Sequence, residues 1–570
     1  MIGLVAVTAA GRLAASRVAD VVRGNGDPVR TYDSPASEGL RQAFVSCDAV
    51  VAFMATGAAV RIIAPLLSDK ATDAGLVCVD EGSRHAVAVL GGHAGGANAL
   101  AHQVAAALGA DPVVTTASDA VGLPGLDTLG WPVDGDVAGV ARALLDGHDV
   151  HLAADAVWPL PALGLRPDQV GDHPSASYVL KLGDELVATP AGHAVLRPPS
   201  LVLGVGSSRG AEPGQVRALV LDTLSTNGLS LASVCEVVSI DLKADEPAII
   251  ALAAGLGVPY RTFGVTELDA QPVPSPSAVV AAATGSHSVA EASVLQAGAA
   301  LVVRKQKNAV ATVAVGRRPP RGRLALVGIG PGARDLLTPR AITELRRASV
   351  VIGLDQYLDQ VSDLLRPGVR VLATGLGSEE ERARTAVRLA QQGHAVAVVG
   401  SGDAGVYAMA SPTLEALEQA LADGGRPIDV VGVPGVTAAL AASAALGAAL
   451  GNDHAYVSLS DLHTPWPAIQ ARLEAVAAGD LVACLYNPRS ARRTSQLPEA
   501  LRILAVGRPS STPVGVVRNV SRSDESVQVT TLADVDPAEV DMYSVVVVGC
   551  SQSRVIDGHL VTPRGYRWMR

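Results

Sequence analysis

Aromatic residues, cysteines and basic runs are scarce in this chain of 570 residues. The five cysteines are scattered without a CxxC pair, which argues against a disulfide framework and against a cysteine metal cluster, so no metal site is predicted. The formal net charge of −10 and the lack of a long basic run argue against nucleic-acid binding. No apolar run reaches the length of a membrane span, and the first residues are typical of strand, turn and helix rather than of a signal peptide. These absences predict a cytoplasmic protein with no membrane or nucleic-acid partner.

Small apolar side chains dominate what is present, because hydrophobic residues make up 49% of the chain and aromatic residues only 3%. The stretch VAVGRRPPRGRLALVG, residues 313–328, holds two prolines and four arginines between two strand-like runs. It predicts a linker that divides the chain into residues 1–316 and 323–570. In the first part, apolar strand-like runs alternate with helical patterns up to about Ala117, which predicts a parallel sheet, and a second α/β unit starts at residue 200.

The segment LVGIGPGARDLLTPRA, residues 326–341, formally contains the dinucleotide-binding pattern G-x-G-x-x-G/A. That pattern binds pyrophosphate because a helix begins at its glycines. Here the natural helix start is Thr338 and Pro339, eight residues beyond Gly330, and Pro331 removes an amide donor from the turn. A phosphate cradle is therefore not expected. A nicotinamide-dependent oxidoreductase stays open as an alternative that rests on the glycine turns alone.

Further strand-like runs of the second part also end in glycine or polar residues. They are VAVVGSGDAGVYAMA (396–410), IDVVGVPGVTAALAASAALG (428–447), VSLSDLHTPW (457–466), LVACLYNPRSARR (481–493), TPVGVVRNVSR (512–522) and DMYSVVVVG (541–549). In open α/β sheets, ligands bind at the carboxyl ends of the strands. Glycine lets the backbone approach a ligand closely, so these runs predict one large cleft that holds its ligand by main-chain hydrogen bonds.

Taken in order, the motifs GIGPG, GSGDAGVYAMA, PGVTAALAASAALG, LYNPRS and SVVVVG resemble the tetrapyrrole methylases over nearly all of residues 323–570. The segments SLSDLHTPW and LYNPRS are similar to the precorrin-3B C(17)-methyltransferase branch of cobalamin biosynthesis. The resemblance implies the two-domain αβα fold of class III methyltransferases, with S-adenosyl-L-methionine bound between the domains. It also implies a homodimer and a tetrapyrrole substrate, with or without cobalt, that is methylated at C17 with ring contraction.

The resemblance further implies which residues contact the cofactor. Pro331 and Gly332 flank the methyl group, Gly402, Asp403 and Val406 lie beside the methionine part, Thr437 and Ala438 line the middle, Tyr486 and Asn487 approach the adenosine, and Tyr543 and Ser544 face the adenine edge. Taken singly, each glycine is equally typical of an ordinary turn. Asp461 and His463 are candidates for proton handling during ring contraction, although a turn cap and a surface histidine are equally open readings.

The first part contains two further groups of motifs. One group is GAAVRIIAPLLSDKATDAGLVCVDE and LGGHAGGANALAHQVAAALGADPVVTTASD, and the other is LVLGVGSSRGAEPGQV, IDLKADEPAI and LVVRKQKNAVATVAVGR. They resemble the N-terminal and C-terminal domains, respectively, of the cobalt-precorrin-5A hydrolase family, and the resemblance implies opening of the ring A lactone with release of acetaldehyde. His93, in a glycine turn at a strand end, is the candidate general base, and a solvent-facing histidine is the equally open alternative. Acidic and basic residues that could assist it are Asp69, Lys70, Asp80 and Glu81. Candidate counter-charges for substrate carboxylates, or a solvated face, are Lys243, Arg304, Lys305 and Lys307.

Together these patterns predict an α/β multidomain chain, in which hydrolase-family α/β units precede a two-domain tetrapyrrole methylase fold. The predicted domains are residues 1–120, a middle region at 121–198, residues 199–316, a linker at 317–323, and methyltransferase subdomains at 324–448 and 449–570. The predicted function is a bifunctional enzyme of corrin-ring biosynthesis. A methyltransferase fused to a non-catalytic tetrapyrrole carrier is the alternative, and acetaldehyde release by the first part would distinguish the two.

Overall fold

The structure is a computed structural model that describes residues 1–24, 27–69, 72–92, 95–115, 121–171, 173 and 175–566. The chain forms two compact units. The first contains residues 1–157, 163–320 and 366–368, and the second contains residues 158–162, 321–365 and 369–570. Among the described residues, no helix combines the length and the apolar character that crossing a membrane requires.

The first sheet of the first unit has the strand order β2-β1-β3-β4-β5-β6. Its strands are β1 (Ile2–Ala6), β2 (Val29–Tyr32), β3 (Ala49–Phe53), β4 (Gly75–Val79), β5 (His85–Leu90) and β6 (Asp111–Val113), and its helices are α1 (Ala9–Gly24), α2 (Ala36–Ser46), α3 (Thr56–Ile63) and α4 (Ala97–Leu108). The expectation of a parallel sheet is wrong at one pair, since β4 and β5 are antiparallel. Asp80 explains the difference, because its carboxylate accepts backbone hydrogen bonds from Gly82, Arg84 and His85 and so closes a tight hairpin turn.

Two further sheets complete the first unit. The smaller one has the order β7-β10-β9-β8 and comprises β7 (Val133–Gly135), β8 (Val150–Ala154), β9 (Tyr178–Leu182) and β10 (His193–Leu196), with helix α5 (Val137–Leu145). The larger one has the order β13-β12-β11-β15-β14 and comprises β11 (Leu201–Ser207), β12 (Val234–Ile240), β13 (Tyr260–Phe263), β14 (Ala300–Lys307) and β15 (Ala311–Arg317). Its helices are α6 (Pro213–Thr226), α7 (Pro247–Leu256), α8 (Val265–Asp269), α9 (Ala278–Thr284) and α10 (Val289–Gln296).

The second unit begins with a sheet of order β18-β17-β19-β16-β20 whose paired strands are all parallel. Its strands are β16 (Arg323–Gly328), β17 (Val350–Leu354), β18 (Arg370–Thr374), β19 (Ala395–Gly400) and β20 (Asp429–Val433), and its helices are α11 (Pro339–Arg347), α12 (Asp355–Asp359), α13 (Glu379–Gln391) and α14 (Ala410–Ala422). The predicted late helix start is confirmed, because α11 begins at Pro339 and the Thr338 hydroxyl accepts a hydrogen bond from the Ala341 amide at 3.2 Å. The glycines after β16 therefore lie in a loop and not at a helix N-terminus.

The other large sheet of the second unit has the order β22-β23-β26-β24-β25, beside a small sheet of order β21-β28-β27. The strands are β21 (Gly447–Ala448), β22 (His454–Ser458), β23 (Val482–Tyr486), β24 (Pro513–Arg518), β25 (Ser526–Thr531), β26 (Ser544–Val548), β27 (Arg554–Ile556) and β28 (His559–Val561), and the helices are α15 (Ala438–Leu446), α16 (Trp466–Ala478) and α17 (Gln496–Leu504).

Strand direction decides which residues of this sheet share an edge. β22 and β23 are parallel, whereas β26 is antiparallel to both β23 and β24. The amino end of β26 therefore lies beside the carboxyl ends of β22, β23 and β24. The expectation that DMYSVVVVG contributes its carboxyl end is wrong, and it is the start of β26, at Ser544, that reaches this edge.

Candidate active site

Three loops converge at the carboxyl edge of the parallel sheet of the second unit. They follow β16, β19 and β20, and β19 and β20 pair with β16 on its two sides. Gly330 and Gly402 exchange two backbone hydrogen bonds, of 3.0 and 2.8 Å, so the loops after β16 and β19 are joined. Strand order reverses around β16, and open α/β sheets form their ligand crevice at such a point. We call these three loops, residues 329–337, 401–409 and 434–437, the crevice loops.

Asp403 fastens two of the crevice loops together. Its Oδ1 accepts a hydrogen bond from the Gly405 amide at 2.8 Å, and its Oδ2 accepts one from the Gly435 amide at 3.0 Å. Val406 closes the same turn, because its amide donates to the Asp403 carbonyl at 3.3 Å. The Asp403 carboxylate, for which the resemblance implies a place beside the cofactor, is thus already held by backbone amides, and its structural effect is to set the shape of the turn.

Tyr486 connects the two large sheets of the second unit. Its hydroxyl lies 2.6 Å from the Thr437 hydroxyl and accepts a hydrogen bond from the Ala439 amide at 2.9 Å, at the start of α15. Its ring lies near those of Tyr407 and Tyr456, with centroids 5.2 and 5.8 Å away. Burial raises the pKa of the Tyr486 phenol and also that of Tyr407. Both phenols are therefore neutral hydrogen-bonding groups at physiological pH and not bases.

Two non-glycine residues at this place adopt left-handed backbone conformations. Tyr407 has φ +52° and Asn487 has φ +50°. The hydroxyl of Tyr407 donates to the Tyr456 carbonyl at 2.8 Å, and the Asn487 side-chain amide donates to the Ser458 hydroxyl at 3.1 Å. Strained backbone of this kind persists only where neighbouring contacts hold it, and it concentrates at functional sites.

Gly402 lies close to Thr437 and Ala438, across the space between two crevice loops. A Cβ atom on Gly402 would lie 3.5 Å from the Thr437 Cα and 3.6 Å from the Ala438 nitrogen. The amides of Thr437 and Ala438 donate to no acceptor in the described part of the chain. This space is therefore bordered by backbone donors that a ligand could satisfy.

Tyr543 and Ser544 lie at the edge of the other sheet, and the backbone groups of Tyr543 and the hydroxyl of Ser544 are engaged within the protein. Tyr543 donates its amide to Asp541 at 2.9 Å and accepts from the Asn519 amide at 3.0 Å, while its exposed ring lies 5.8 Å from the Arg518 guanidinium carbon. The Ser544 hydroxyl is buried and donates to Asp541 at 2.9 Å. A contact between Tyr543 and an adenine would consequently use its ring.

The two candidates for proton handling are placed differently. Asp461 accepts a hydrogen bond from the Gln496 side chain at 2.9 Å. His463 and Leu462 line a cavity of about 620 Å³ together with residues 377–378 and residues of α13. Of these two candidates, only His463 is among the residues that line the cavity.

Sequence reasoning missed two arginines at the crevice. Arg493 donates to the Asn487 carbonyl at 2.8 Å and to the Ser460 hydroxyl at 3.4 Å, and burial lowers its pKa. Arg522 donates from Nε to the Pro331 carbonyl at 3.2 Å and lies against Gly332. Arg493 ends the run LVACLYNPRSARR, and Arg522 ends the run TPVGVVRNVSR. An arginine in a polar loop is common on protein surfaces, so the sequence alone does not mark either one as a site residue.

In the first unit, His93 and Lys70 lie outside the described residues. Asp80 serves the β4–β5 turn. Lys243 lies 3.2 Å from the carboxylate of the fully buried Glu246, and Lys305 donates from Nζ to the Ser275 carbonyl at 2.7 Å. Two of the predicted counter-charges therefore have internal partners, whereas Arg304 and Lys307 are exposed on β14.

Three segments of the chain match models of known families. Residues 323–536 match the family model of the tetrapyrrole (corrin/porphyrin) methylases. Residues 38–119 match the cobalamin synthesis G N-terminal model, and residues 201–316 match the cobalamin synthesis G C-terminal model.

Individual relatives match the methylase part. The chain is 43% identical over 243 residues to the "Probable cobalt-factor III C(17)-methyltransferase" of Salmonella typhimurium, which covers 43% of this chain and 99% of the relative. It is 38% identical over 250 residues to a precorrin-3B C(17)-methyltransferase of Sinorhizobium, which covers 43% of this chain and 97% of that one. Among solved structures, the methyltransferase CobJ is 35% identical with a TM-score of 0.41, over 43% of this chain and 100% of that chain. The chain belongs to the tetrapyrrole methylase family through its second part, which is fused to N- and C-terminal cobalamin synthesis G domains in its first part.

Proposed function

We propose that residues 324–570 methylate C17 of a tetrapyrrole of cobalamin biosynthesis, with ring contraction and with S-adenosyl-L-methionine as methyl donor. The observation that carries this proposal is the 43% identity to a C(17)-methyltransferase across 99% of that relative's length. The substrate is precorrin-3B or cobalt-factor III, because relatives named for each compound are similarly close to this chain. We also propose that the protein is a homodimer and that its domains have the boundaries predicted from the sequence.

The crevice fits the proposed cofactor. The space beside Gly402 is bordered by the amides of Thr437 and Ala438, and backbone donors of this kind suit a polar chain that must be held without bulky side chains. On the other sheet Tyr486, Asn487 and the exposed ring of Tyr543 offer aromatic and amide surface for an adenosine. Pro331 and Gly332 border the crevice from the loop after β16. S-adenosylmethionine, when bound, supplies a methyl group that is already activated by the positive sulfur.

The protein's own contribution is alignment and exclusion of water. The three crevice loops are joined by the Gly330–Gly402 hydrogen bonds and by Asp403, so their backbone donors are fixed before a ligand arrives. Fixed alignment of this kind can supply several kcal/mol of a barrier, on the order of 7–11 kcal/mol at the upper limit for well-oriented reactants. The phenols of Tyr407 and Tyr486 nearby are neutral because their pKa values are raised, and methyl transfer from an activated sulfur needs no base from them.

Ring contraction does require proton transfer, and we assign it to the loop after β22. His463 lines the cavity beside α13, and an imidazole is a suitable group to transfer the proton. Asp461, held by Gln496, steadies this loop from outside the cavity. In this assignment the histidine contacts the substrate and the aspartate is a positioning residue.

For residues 1–316 we propose opening of the ring A lactone of (cobalt-)precorrin-5A with release of acetaldehyde. Both cobalamin synthesis G matches support this activity. His93 is the proposed general base, and the exposed Arg304 and Lys307 are proposed to attract substrate carboxylates. The alternative, a carrier module without catalysis, predicts tetrapyrrole binding without acetaldehyde.

Mass analysis tests the two activities separately. The full chain is incubated without oxygen with S-adenosylmethionine and either precorrin-3B or cobalt-factor III, and the product is examined for one added methyl group. In a second reaction the lactone substrate is supplied and acetaldehyde is measured with the wild type and with His93→Ala. Acetaldehyde from the wild type but not from the variant supports lactone opening, whereas binding without acetaldehyde supports the carrier. Absence of a methylated product with both substrates would overturn the methyltransferase assignment.

A further inference from the structure

Arg522 lies directly over the crevice loop that follows β16. Its Nε donates to the Pro331 carbonyl at 3.2 Å. A Cβ atom on Gly332 would come within 2.7 Å of the Arg522 Cγ, so the arginine stem occupies the place where any side chain at 332 would begin. Gly332 has φ +149°, a backbone conformation that also favours glycine. The glycine and the arginine thus fit each other across 190 residues of sequence.

The loop that carries Arg522 is held rigidly by its own polar groups. Asn519 and Ser521 have φ of +47° and +63°, and the Asn519 carbonyl accepts the Arg522 amide at 3.0 Å. Asp524 accepts hydrogen bonds from the Asn519 side chain at 2.6 Å and from Arg518 at 3.2 Å. This many local contacts fix the direction in which the Arg522 side chain leaves the loop.

The acidic side chains near Arg522 are committed elsewhere. Asp524 and Asp541 both pair with Arg518, and Glu525 accepts the Ser521 amide. In the part of the chain that the structure describes, no carboxylate forms an ion pair with Arg522, and its Nη1 and Nη2 atoms have no hydrogen-bond acceptor. A partly buried guanidinium keeps two donors in a planar fork that matches a carboxylate.

We propose that the terminal nitrogens of Arg522 bind a carboxylate of a ligand in the crevice. Resting on the proposed function, this carboxylate comes from one of two sources: the methionine part of the methyl donor, or an acetate or propionate side chain of the tetrapyrrole. Both sources present the same chemistry at the loop of Pro331 and Gly332. Arg522 is then a binding residue for the reaction, while its Nε contact serves only to aim the fork.

Two nucleoside probes distinguish the sources. S-adenosylhomocysteine carries the carboxylate, whereas 5′-methylthioadenosine shares the adenosine and the sulfur but lacks it. Binding of each to the full chain is measured by calorimetry for the wild type, Arg522→Gln and Arg522→Lys. Arg554→Gln, an exposed arginine on β27, is the matched control. A hydrogen bond to a charged group contributes about 1.5–3 kcal/mol, which is about a 10- to 150-fold change in affinity.

If the donor carboxylate is the ligand, Arg522→Gln weakens S-adenosylhomocysteine binding by about 10- to 150-fold and leaves 5′-methylthioadenosine unchanged. If the tetrapyrrole carboxylate is the ligand, both nucleosides bind normally and the KM for tetrapyrrole rises about tenfold or more with kcat little changed. In either case Arg522→Lys retains part of the binding. The proposal is overturned if Arg522→Gln changes none of these values, or if it weakens both nucleosides equally. A wild type that binds neither nucleoside would instead refute the proposed function itself.

Discussion

Replacing Gly402 with valine tests whether the space beside Thr437 and Ala438 holds the methyl donor. Gly402 has φ +65°, and a Cβ atom there would lie 3.5 Å from the Thr437 Cα, which is ordinary van der Waals contact. The Cβ itself therefore fits, but the two γ-methyl groups of valine must extend into the space beyond it. The expected effect is a folded protein with a blocked crevice.

The expected stability cost follows from the backbone. A non-glycine residue in the left-handed region costs about 1–2 kcal/mol. For a unit of this size, that cost lowers Tm by about 2–8 °C. A steric block should exceed the about 1–3 kcal/mol of one lost hydrogen bond. We therefore expect methyl transfer to fall by more than about 100-fold, which corresponds to about 2.7 kcal/mol.

Gly424→Val is the matched control for strain. Gly424 has φ +81°, and a Cβ atom there would meet nothing within 4 Å. Both variants should lose similar stability in thermal melts, while only Gly402→Val should lose methyl transfer and S-adenosylhomocysteine binding. Acetaldehyde release, which we propose for residues 1–316, should persist in both. If Gly402→Val melts like its control and still methylates at nearly the wild-type rate, the crevice loop after β19 does not border the donor.

Three further predictions concern the hydrogen bonds of Asp403 and Tyr486 and the reactivity of two buried cysteines. Each carboxylate oxygen of Asp403 accepts a hydrogen bond from a backbone amide, and Asp403→Asn replaces one of these oxygens with a donor nitrogen. The free energy of unfolding in chemical denaturation should therefore fall by about 1–3 kcal/mol, and S-adenosylhomocysteine should bind more weakly. Unchanged values for both would show that the carboxylate does not hold the loops. Tyr486→Phe removes the hydroxyl that accepts an amide at the start of α15, so unfolding free energy should fall by about 1–3 kcal/mol, and an unaltered melt would contradict the bridging role. Burial raises the pKa of Cys78 and of Cys484 to about 12, so at pH 8 only about one thiol in ten thousand is ionised. Iodoacetamide should therefore label both cysteines only after denaturation. Fast labelling of the native protein, seen by peptide mass analysis, would refute their burial.

The sequence indicated the elements of the fold wherever local chemistry decides them. The Thr338–Pro339 pair marked the start of α11 correctly because a cap and a proline act within one turn of the helix. The direction of β26 was not predictable in the same way. Its core SVVVV is equally apolar read from either end, and only pairing with β23 makes it antiparallel. The hairpin of β4 and β5 likewise depends on one carboxylate, Asp80, which from the sequence alone is a candidate to assist catalysis.

At the candidate site, the sequence indicates which loops come together but not what role each side chain has. Motif order identifies the loops that form the crevice, and the structure does bring Gly402, Thr437 and Ala438 together. Sequence patterns do not reveal that the Asp403 carboxylate is engaged by backbone amides, because its partner Gly435 lies 32 residues away. Roles that depend on such distant partners can be assigned only once the loops are placed.

The polar groups at the crevice differ in whether they have a partner inside the protein. The polar side-chain atoms of Asp403 and Tyr486 are satisfied by the protein itself, so their direct contribution to ligand binding is limited to shaping the loops. Recognition must then come from groups that lack an internal partner. In the described part of the chain these include the amides of Thr437 and Ala438 and the terminal nitrogens of Arg522. Substitutions of Asp403 and Tyr486 should consequently act on loop geometry and weaken the binding of all ligands alike. Substitution of Arg522 should instead weaken only the binding of ligands that carry a carboxylate.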